Sequence, residues 1–590
     1  TLPVNVFVME DGIDKVNVSV SCEGPLTIEG QSTSTVTFNG KGDKMTRFAL
    51  TAASYVPDGG SFAKVTVTAD GKGHKMTETI NIEVRNPSPL ITSISETMLG
   101  KGESKTFDYN PFKTEGGRSA WIEASGYPSI GWNSLFSYMY SYRHSCTEQI
   151  SAKGISMINS MSMLSEDNAA KVKAMVPEML TELYVRQLPD GGFAYWRGDT
   201  HADEWVTSMA GQFMTLARNA GYEVNKGVLD SWAKFQKRCI QNYRTAKVYA
   251  LSDLTQAYRL FTMALAGNAE EAAMNRMKEG GNLSWQATAM LASTYAVCGK
   301  KTVGTELLNS IFNTQEEDGF NVPTYGTPLR NKAIVLEAMV RTGNILEAMT
   351  YATDINRGAS GLEPWSMSTQ ESAFISGAMN QLAKNVTGGN VSVNVNEGEK
   401  TLTKPSGNGI VNAVLNSEFG SVTVQNTSDG PAYVRMTVVS QAEPSASIPA
   451  RATGIALNVR YIGADGSAIS PTSIRQGTEF TAVIRVSNPN ISEGIHNMAL
   501  TEMIPSGWEI INERMTGEDI PSAGKYDYLD IRDDRNVFYF SIAAGSYKEF
   551  RVRLRAAYEG KFVLPSVTCE AMYDSRVFAC TASGVAEVTR

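Results

Sequence analysis

Apolar and polar residues alternate along the first part of the chain. Between Val16 and Arg85, apolar residues take every second position in several short runs, among them residues 16–20 and 80–84. Turn-forming pairs such as Asn39-Gly40 separate these runs. Such alternation is typical of half-buried antiparallel strands. It predicts a β-sandwich over residues 1–87, because about 85 residues are enough for one such domain.

The spacing of the apolar positions changes between Trp132 and Val386. Apolar residues there recur three and four positions apart, and helix-capping residues replace the turn residues of the strand regions. Helices are predicted at 147–163, 167–186, 202–219, 227–243, 252–266, 283–297, 328–342, 344–355 and 368–384. Nine or more helices joined by short turns indicate an all-α domain of helical hairpins, which we place at residues 119–387.

Alternation returns after residue 388 and continues to the C-terminus. The stretch 388–445 is short and polar for a domain of its own, as is the strand-like stretch 88–118. We therefore expect these two stretches to pair as halves of one β domain into which the helical domain is inserted. Residues 446–590 are predicted to form a further sandwich. Its strands are expected near 455–462, 478–487, 536–542, 549–556 and 577–581.

Length and composition narrow the class of protein. A chain of 590 residues is too long for one hydrophobic core, so the predicted fold class is multidomain α+β. The net charge of -8 is mild, and no block of Lys and Arg suggests binding to nucleic acid. Six cysteines without a Cys-x-x-Cys pair indicate neither a disulfide framework nor a zinc site, and no cofactor is expected.

Two further sequence patterns concern membrane insertion and targeting. No apolar run approaches the roughly 20 residues that a membrane-spanning helix needs, which predicts a soluble chain. The first residues lead directly into strand-like alternation without the features of a signal peptide. We therefore expect Thr1 to be an internal position of a longer protein.

One short segment combines a cysteine and a glutamine with a predicted helix start. Ser145 and Glu148 fit a capping box, which makes Ser145 the expected N-cap, Cys146 the first helical residue and Gln149 the fourth. Residues three apart on a helix lie roughly 5–6 Å apart at Cβ, so the sulfur can reach the Gln149 carbonyl. The helix N-terminus is expected to stabilise a thiolate and to present amides to an oxyanion.

Attack of the Cys146 sulfur on the Gln149 side chain, with loss of ammonia, would form an internal thioester. The alternative is an ordinary helix start that happens to contain a cysteine. From bulk residue frequencies, Cys-x-Glu-Gln occurs by accident in roughly one chain of this length in a hundred.

The segment Cys146-Thr147-Glu148-Gln149 is similar to the thioester motif of alpha-2-macroglobulins and complement components. Other segments resemble the bacterial branch of that family, and they follow one another in order along essentially the whole chain. They are 126–128, 191–196, 202–207, 257–260, 264–267 and 368–373 in the helical domain, and 504–510, 530–535 and 570–574 in the last domain. By this resemblance the chain is identified as the C-terminal portion of a bacterial alpha-2-macroglobulin.

The resemblance implies an architecture and a function. The helices are expected to form an α/α-toroid thioester domain inserted into a CUB-type β domain, with macroglobulin-like sandwiches on either side. The function implied is that of a protease inhibitor, not an enzyme. A target protease cuts a bait segment elsewhere, the toroid moves, and the exposed single-use thioester acylates a lysine of the protease. A monomer in the periplasm or cell envelope, anchored through a lipid at a missing N-terminus, is also implied.

A thioester survives only where water and amines are kept away, so apolar and aromatic surroundings are expected. We predict a shield made of Tyr142, Met572 and Tyr573, of which the last two match the pair that covers the thioester in the family. Each of the three could equally be an ordinary core side chain. Thr147 and Glu148 are expected to support the motif, together with Ser145, which stands where the family usually has Gly.

Histidines bear on which nucleophile accepts the acyl group. The complement branch uses a downstream His to favour hydroxyls, and neither His144 nor His201 matches its placement, so amines are the expected acceptors. His144 could assist as a base, but we expect it to be a solvent-facing loop residue. Cys569 and Cys580 could bridge two C-terminal strands.

Three other functions stay open at this point. A covalent adhesin would use the same thioester on surface amines, and a structural envelope protein would carry an inactive thioester. An enzyme built on a helical toroid would need an acidic cluster in its cavity, and no such motif stands out beside the predicted helices.

Overall fold

The computed structural model describes most of the chain. The described residues are 1–53, 61–88, 90–109, 119–142, 144–243, 252–311, 322–360, 367–386, 391–397, 400–403, 410–415, 420–441, 447–512 and 526–590. Their buried apolar side chains form four clusters, one in each of three β units and one in a helical unit. Residues of the C-terminal β unit also belong to the helical cluster, so these two units pack on each other.

The first unit is an antiparallel β-sandwich, and the alternating runs 16–20 and 80–84 lie in two of its strands. Its strands are β1 (Leu2–Val8), β2 (Lys15–Glu23), β3 (Leu26–Glu29), β4 (Thr33–Thr37), β5 (Gly42–Ala52), β6 (Ser61–Gly71) and β7 (His74–Val84). They form one sheet in the order β1-β5-β3 and another in the order β4-β2-β6-β7. Val16, Val18 and Val20 of β2 are buried between the sheets, since alternate residues of a strand face one side.

The second unit is a pair of sheets that both sides of the helical region build together. Its strands are β8 (Leu90–Leu99), β9 (Ser104–Tyr109), β10 (Ser119–Ser125), β11 (Val393–Glu397), β12 (Lys400–Thr403), β13 (Ile410–Leu415), β14 (Gly420–Asn426) and β15 (Ala432–Gln441). The sheets have the orders β13-β10-β15-β8 and β12-β11-β14-β9. Strands from before and after the helices therefore alternate in the first sheet, and in the second sheet β9 joins three strands from after the helices.

Strand β10 corrects the boundary that the sequence analysis placed between residues 118 and 119. It lies between β13 and β15, whereas the sequence analysis assigned it to the helical domain. Ile122 and Ala124 are buried on one face of β10, and Trp121 and Glu123 are buried on the other. A strand buried on both faces shows no polar alternation, so its period was not visible in the sequence.

The helical unit contains twelve α-helices among the described residues. They are α1 (Trp132–Ser141), α2 (Thr147–Ser160), α3 (Glu166–Tyr184), α4 (Glu204–Asn219), α5 (Lys226–Asn242), α6 (Ser252–Leu265), α7 (Glu271–Gly280), α8 (Trp285–Val297), α9 (Lys301–Asn309), α10 (Pro328–Thr342), α11 (Ile345–Ser360) and α12 (Thr369–Asn385). Each of the nine predicted helices corresponds to one of these. The short helices α1, α7 and α9 were not predicted, because ten residues or fewer give a weak periodic signal.

Six of the helices form a closed ring, which we call the helical ring. Helices α2, α4, α6, α8, α10 and α12 contact one another in that order, and α12 returns to contact α2. Helices α3, α5, α9 and α11 each contact two consecutive ring members. In α8, every residue from Gln286 to Ala296 is buried, as expected for a helix enclosed by neighbours. Among the described helices, none is long and apolar enough to cross a membrane.

The last unit, the C-terminal sandwich, is entirely β. Its strands are β16 (Arg451–Thr453), β17 (Ala456–Gly463), β18 (Ala468–Ile469), β19 (Ile474–Arg475), β20 (Glu479–Ser487), β21 (Ile495–Met503), β22 (Trp508–Ile510), β23 (Tyr528–Ile531), β24 (Arg535–Ile542), β25 (Tyr547–Ala556), β26 (Gly560–Leu564), β27 (Thr568–Ala571), β28 (Asp574–Cys580) and β29 (Gly584–Thr589). The two large sheets have the orders β16-β28-β27-β21-β24-β23 and β18-β17-β20-β25-β22.

A tight hairpin in this sandwich has a buried turn. Met572 and Tyr573 connect β27 to β28, and both are buried, although hairpin turns usually face solvent. We call these two residues the docking turn. The bridge considered between Cys569 and Cys580 is absent: both thiols are free, and Cys569 is paired with Ala579 across the hairpin.

Close packing inside the helical unit yields a first prediction. A Cβ at Gly211 of α4 would lie 1.9 Å from Cε2 of Trp232 on α5, so Gly211→Ala forces the two helices apart. Overpacking of this kind costs about 1–3 kcal/mol. We expect a lower midpoint for the thermal unfolding transition of the helical unit.

Gly227→Ala is the matched control, because the nearest atom to its new Cβ would be Asn225 Oδ1 at 3.4 Å. It should leave the midpoint unchanged or raise it slightly. Equal midpoints for the two variants would contradict the packing described here.

Candidate functional site

Helix α2 begins at the cysteine of the predicted motif. The N-cap is Cys146, with an extended backbone at φ -68° and ψ 169°. The backbone amide of Cys146 donates to the side-chain Oε1 of Gln149 at 2.9 Å, and the backbone amide of Gln149 faces the Cys146 sulfur. The two side chains of interest are thus the two halves of a capping box and are held against each other.

The predicted N-cap at Ser145 is therefore wrong by one residue. The Ser145 carbonyl accepts a hydrogen bond from Nη2 of Arg186 at 3.0 Å, outside the helix. The amide of Thr147 donates to the carbonyl of Tyr195 at 3.0 Å, and its hydroxyl donates to the carbonyl of Ala194 at 2.6 Å. These contacts with the 193–196 segment satisfy the first helical amide, so the helix starts one residue later than the local pattern indicates.

The Gln149 side chain has different surroundings at its oxygen and its nitrogen. The oxygen accepts the hydrogen bond from the Cys146 amide, which draws electron density from the carbonyl carbon. The nitrogen lies 3.0 Å from the Met572 sulfur and 3.5 Å from the Tyr142 hydroxyl. The carbonyl is therefore polarised by a donor placed where an oxyanion would develop.

The Cys146 thiol is fully buried, and this burial decides its protonation. Desolvation, and secondly the nearby Glu148 carboxyl, raise the pKa of Cys146 to about 12. The sequence had led us to expect a thiolate stabilised by the helix N-terminus. That expectation is wrong in direction, because the loss of water outweighs the amides of the helix start. At neutral pH the sulfur carries its proton.

Glu148 lies between the two reactive residues in sequence but points into the helical ring. Its carboxylate accepts hydrogen bonds from Thr369 Oγ1 at 2.8 Å, Gln370 Nε2 at 2.7 Å and the Tyr573 hydroxyl at 2.8 Å. Burial raises the pKa of Glu148 to about 7. The predicted capping contact with Ser145 is thus replaced by contacts with α12 and with the docking turn.

Three tyrosine rings cover the sulfur. The Tyr573 hydroxyl lies 3.9 Å from Sγ of Cys146 and 2.8 Å from the Tyr195 hydroxyl. The ring of Tyr325 packs on Tyr573 with 4.7 Å between centroids. Tyr325 has a left-handed backbone, with φ 50°, which a non-glycine residue rarely adopts. Aromatic side chains from three separate parts of the chain therefore exclude solvent from this sulfur.

The contact between the C-terminal sandwich and the helical unit extends beyond the docking turn. Trp196 stacks on Tyr528, with centroids 4.6 Å apart and planes 8° apart, and also contacts Tyr539. His144 lies between the Tyr539 hydroxyl at 2.9 Å and Oε1 of Glu570 at 3.1 Å. With 9% of its side chain exposed, His144 is an interface residue and not the solvent-facing loop residue expected from the sequence.

The structure brings all the predicted site residues together around the start of α2. Cys146 and Gln149 contact each other, and Tyr142, Met572 and Tyr573 each contact one of the two. Sequence reasoning missed four further residues of the site, Tyr195, Tyr325, Thr369 and Gln370, and it placed His144 in solvent. Tyr195, Thr369 and Gln370 lie in segments that carry the family resemblance, which was a signal for their regions but not for their roles. No pattern in the sequence points to Tyr325.

Comparison with known proteins finds similarity to bacterial alpha-2-macroglobulins. Residues 454–575 match a family model described as the bacterial alpha-2-macroglobulin MG10 domain. The alpha-2-macroglobulin homolog of Yersinia pestis is 23% identical over a match covering 96% of this chain and 30% of its own length. The alpha-2-macroglobulin of Escherichia coli K12 is 23% identical, with 83% of this chain and 31% of its own length covered. The chain thus spans about a third of these relatives.

Solved structures share the fold. The native Escherichia coli alpha-2-macroglobulin from domain MG7 to the C-terminus aligns with a TM-score of 0.84 at 19% identity, covering 100% of this chain and 96% of that one. A Salmonella alpha-2-macroglobulin reacted with methylamine aligns with a TM-score of 0.83 at 19% identity, covering 100% of this chain and 39% of that one.

The stacked Trp196 yields a second prediction, on the docking of the two units. Replacing a buried Trp with Ala costs about 3 kcal/mol, and this one packs mainly on the C-terminal sandwich. We expect Trp196→Ala to raise the hydrogen-exchange rate of residues 526–540 and 568–574 about a hundredfold, as 1.4 kcal/mol corresponds to a factor of ten.

Trp285→Ala is the control, because Trp285 packs against the helical core at the start of α8. This variant should leave exchange in the same two segments near the wild-type rate. Exchange raised equally by both variants would show that Trp196 supports the helical unit as a whole rather than the docking.

Proposed function

Because the chain belongs to the bacterial alpha-2-macroglobulin family, we propose that it is the thioester-bearing C-terminal part of a broad-spectrum protease inhibitor. In this proposal Cys146 and Gln149 form an internal thioester, which is used once to attach the inhibitor to a protease. The observation that carries the proposal is that these two buried side chains cap each other at the start of α2. Their contact also places a hydrogen-bond donor on the carbonyl that the sulfur must attack.

The architecture supports the finer domain assignments. The helical ring with its outer helices corresponds to an α/α toroid, and the two sheets that share strands from both sides of it correspond to a CUB-type domain. We assign the first and last sandwiches as macroglobulin-like. Both ends of the helical unit connect to strands of the same pair of sheets, so we expect the toroid to move as a unit when those sheets shift.

The contacts that cover the thioester suggest how it becomes exposed. The docking turn reaches the site from a separate unit, and the contacts of His144 and Trp196 hold that unit in place. We propose that cleavage of a bait segment, outside this chain, separates the two units and exposes the acyl group to lysine amines of the protease. The chain spans about a third of its curated relatives, and the remaining length is where such a segment would lie.

Amines are the proposed acceptors. Both ring nitrogens of His144 are engaged by Tyr539 and Glu570, and His201 is exposed and contacts Thr200. Neither imidazole is placed to take the acyl group or to activate a hydroxyl. Methylamine, with which the Salmonella relative was reacted, is a small primary amine of the same chemical class as a lysine side chain.

The setting of the full-length protein follows from the family alone. We propose a lipid-anchored monomer in the periplasm or cell envelope, where a captured protease is one that has crossed the outer layer. A covalent adhesin would carry the same site but would need no bait segment.

The third prediction tests the thioester itself. The intact mass of the purified chain should be lower than the sequence mass by one ammonia, because the Cys146 sulfur displaces the Gln149 nitrogen. Methylamine should add one equivalent and free one thiol that can be alkylated. Cys146→Ala is the control and should have its full sequence mass and no reaction with methylamine. A wild-type chain of full mass, with Cys146 open to alkylation, would contradict the proposal.

A further inference from the structure

Glu148 is a buried acid outside the pair of side chains that would form the thioester. Its side chain is fully buried and accepts three hydrogen bonds. Two of the donors belong to α12, and the third is the hydroxyl of Tyr573. A buried carboxyl is costly unless it is well bonded, and an apolar residue would fill the position without that cost. The position of this acid, between the two residues that react, suggests a chemical use.

Formation of the thioester has two requirements that Cys146 and Gln149 do not meet alone. The thiol is protonated at neutral pH, since burial raises the pKa of Cys146 to about 12, and a protonated thiol is a poor nucleophile. The leaving nitrogen must also gain a proton to depart as ammonia. Polarisation of the carbonyl by the Cys146 amide helps the attack but moves no proton.

A continuous path for a proton connects the sulfur to Glu148. Sγ of Cys146 lies 3.9 Å from the Tyr573 hydroxyl, and that hydroxyl donates to Oε2 of Glu148 at 2.8 Å. The Tyr195 hydroxyl also lies within hydrogen-bond distance of the Tyr573 hydroxyl, at 2.8 Å. Tyr573 can therefore accept the thiol proton as its own proton passes to Glu148.

We propose that Tyr573 and Glu148 form the proton relay with which this chain makes its own thioester, so that the bond forms only after the C-terminal sandwich has docked. The inference rests on the proposed function, because it concerns the origin of the same bond. Tyr573 then has two roles, as a cover for the finished thioester and as part of the machinery that makes it.

The reaction balances without any added reagent. The Cys146 sulfur forms a bond to Cδ of Gln149 while its proton passes through Tyr573 to Glu148. The bond from Cδ to Nε2 then breaks, and the proton returns from the carboxyl to the nitrogen, which leaves as ammonia. Glu148 gains and loses one proton, and nothing is oxidised or reduced.

The protonation of Glu148 suits this exchange. Burial raises its pKa to about 7, so near neutral pH the carboxylate can both accept and return a proton. Several other titratable groups of the described residues interact electrostatically with Glu148. They are Cys146 on its own segment, Tyr138 and Tyr142 near α1, Tyr195 and Asp203 between α3 and α4, Tyr258 of α6, Tyr325 before α10, and Tyr573 on the docking turn. The formation rate should rise with pH and level off above about 7, where the carboxylate is ionised.

The docking requirement orders the assembly of the molecule. The reactive acyl group would not exist while its cover is absent, since the residue that covers the sulfur also enables the reaction. A chain whose C-terminal sandwich has not yet folded would keep an ordinary glutamine and thiol, which water does not destroy.

The fourth prediction tests the relay with the whole chain. Wild type, Tyr573→Phe, Glu148→Gln and Thr369→Val would be made by cell-free translation and transferred to buffers between about pH 6 and 8.5. The loss of one ammonia is then followed over time by intact mass. Tyr573→Phe keeps the ring that covers the site and removes only the hydroxyl.

We expect both relay variants to form the thioester at least about a hundredfold more slowly than wild type, the lower range of general acid–base effects. Thr369→Val removes one hydrogen bond from the carboxylate, so it should raise the pKa of Glu148 and shift the plateau of the wild-type profile to higher pH. A merely structural role for Glu148 would not move that profile.

The outcomes separate the relay from the thioester. Wild-type rates and pH profiles in both relay variants would overturn the relay. A wild-type chain that never loses ammonia at any pH would overturn the proposed function instead. Thermal unfolding and hydrogen exchange at 568–574 show whether each variant is folded and docked, and Tyr573→Phe decides the question if Glu148→Gln does not fold.

Discussion

Water is excluded from the start of α2, where Cys146 and Gln149 are both buried. The start of α2 offers a thiol and an amide that cap each other, and either would be unremarkable in contact with solvent. Here both groups are shielded from solvent, because Met572 and Tyr573 of the C-terminal sandwich contact them. Desolvation keeps the Cys146 thiol protonated and raises the pKa of the Glu148 carboxyl to about 7. The same desolvation would protect an acyl group from hydrolysis.

The cover of the reactive pair is held by contacts between two units that have their own hydrophobic cores. The docking turn belongs to one short hairpin, and the surrounding interface includes the Trp196 stack and the two hydrogen bonds of His144. The helical ring behind the site is closed on itself and does not need the C-terminal sandwich to complete it. Separation of the two units would therefore expose the reactive pair while leaving the helix that holds it intact.

Local patterns predicted much of the fold and the identity of the central pair. Periods of two and of three to four located the sandwich strands and nine helices, because those elements bury one face. The pattern failed at β10, which is buried on both faces, and at helices of ten residues or fewer. The capping box was misplaced by one residue, since the local signal at Ser145 could not include Arg186 and Tyr195, which satisfy the neighbouring backbone groups.

The rest of the site depends on contacts between residues far apart in sequence. The local sequence predicts a capping role for Glu148. Instead, hydrogen bonds from Tyr573 and from Thr369 of α12 hold its side chain towards the helical ring. The local sequence predicts an exposed loop position for His144. Its side chain is buried instead, because it contacts Tyr539 and Glu570, which lie about 400 positions further along the chain. The protonation of Cys146 likewise follows from burial by another unit, which the sequence near the cysteine does not reveal.

A thioester at Cys146 and Gln149 should make the full-length protein capture a protease covalently. The protein would be incubated with a protease that cleaves it, and the products digested and mapped by tandem mass spectrometry. We expect an isopeptide bond between a protease lysine and the side chain of Gln149, with Cys146 free to be alkylated and no conjugate from Cys146→Ala. Complete cleavage without a conjugate, or a conjugate linked through another residue, would contradict it.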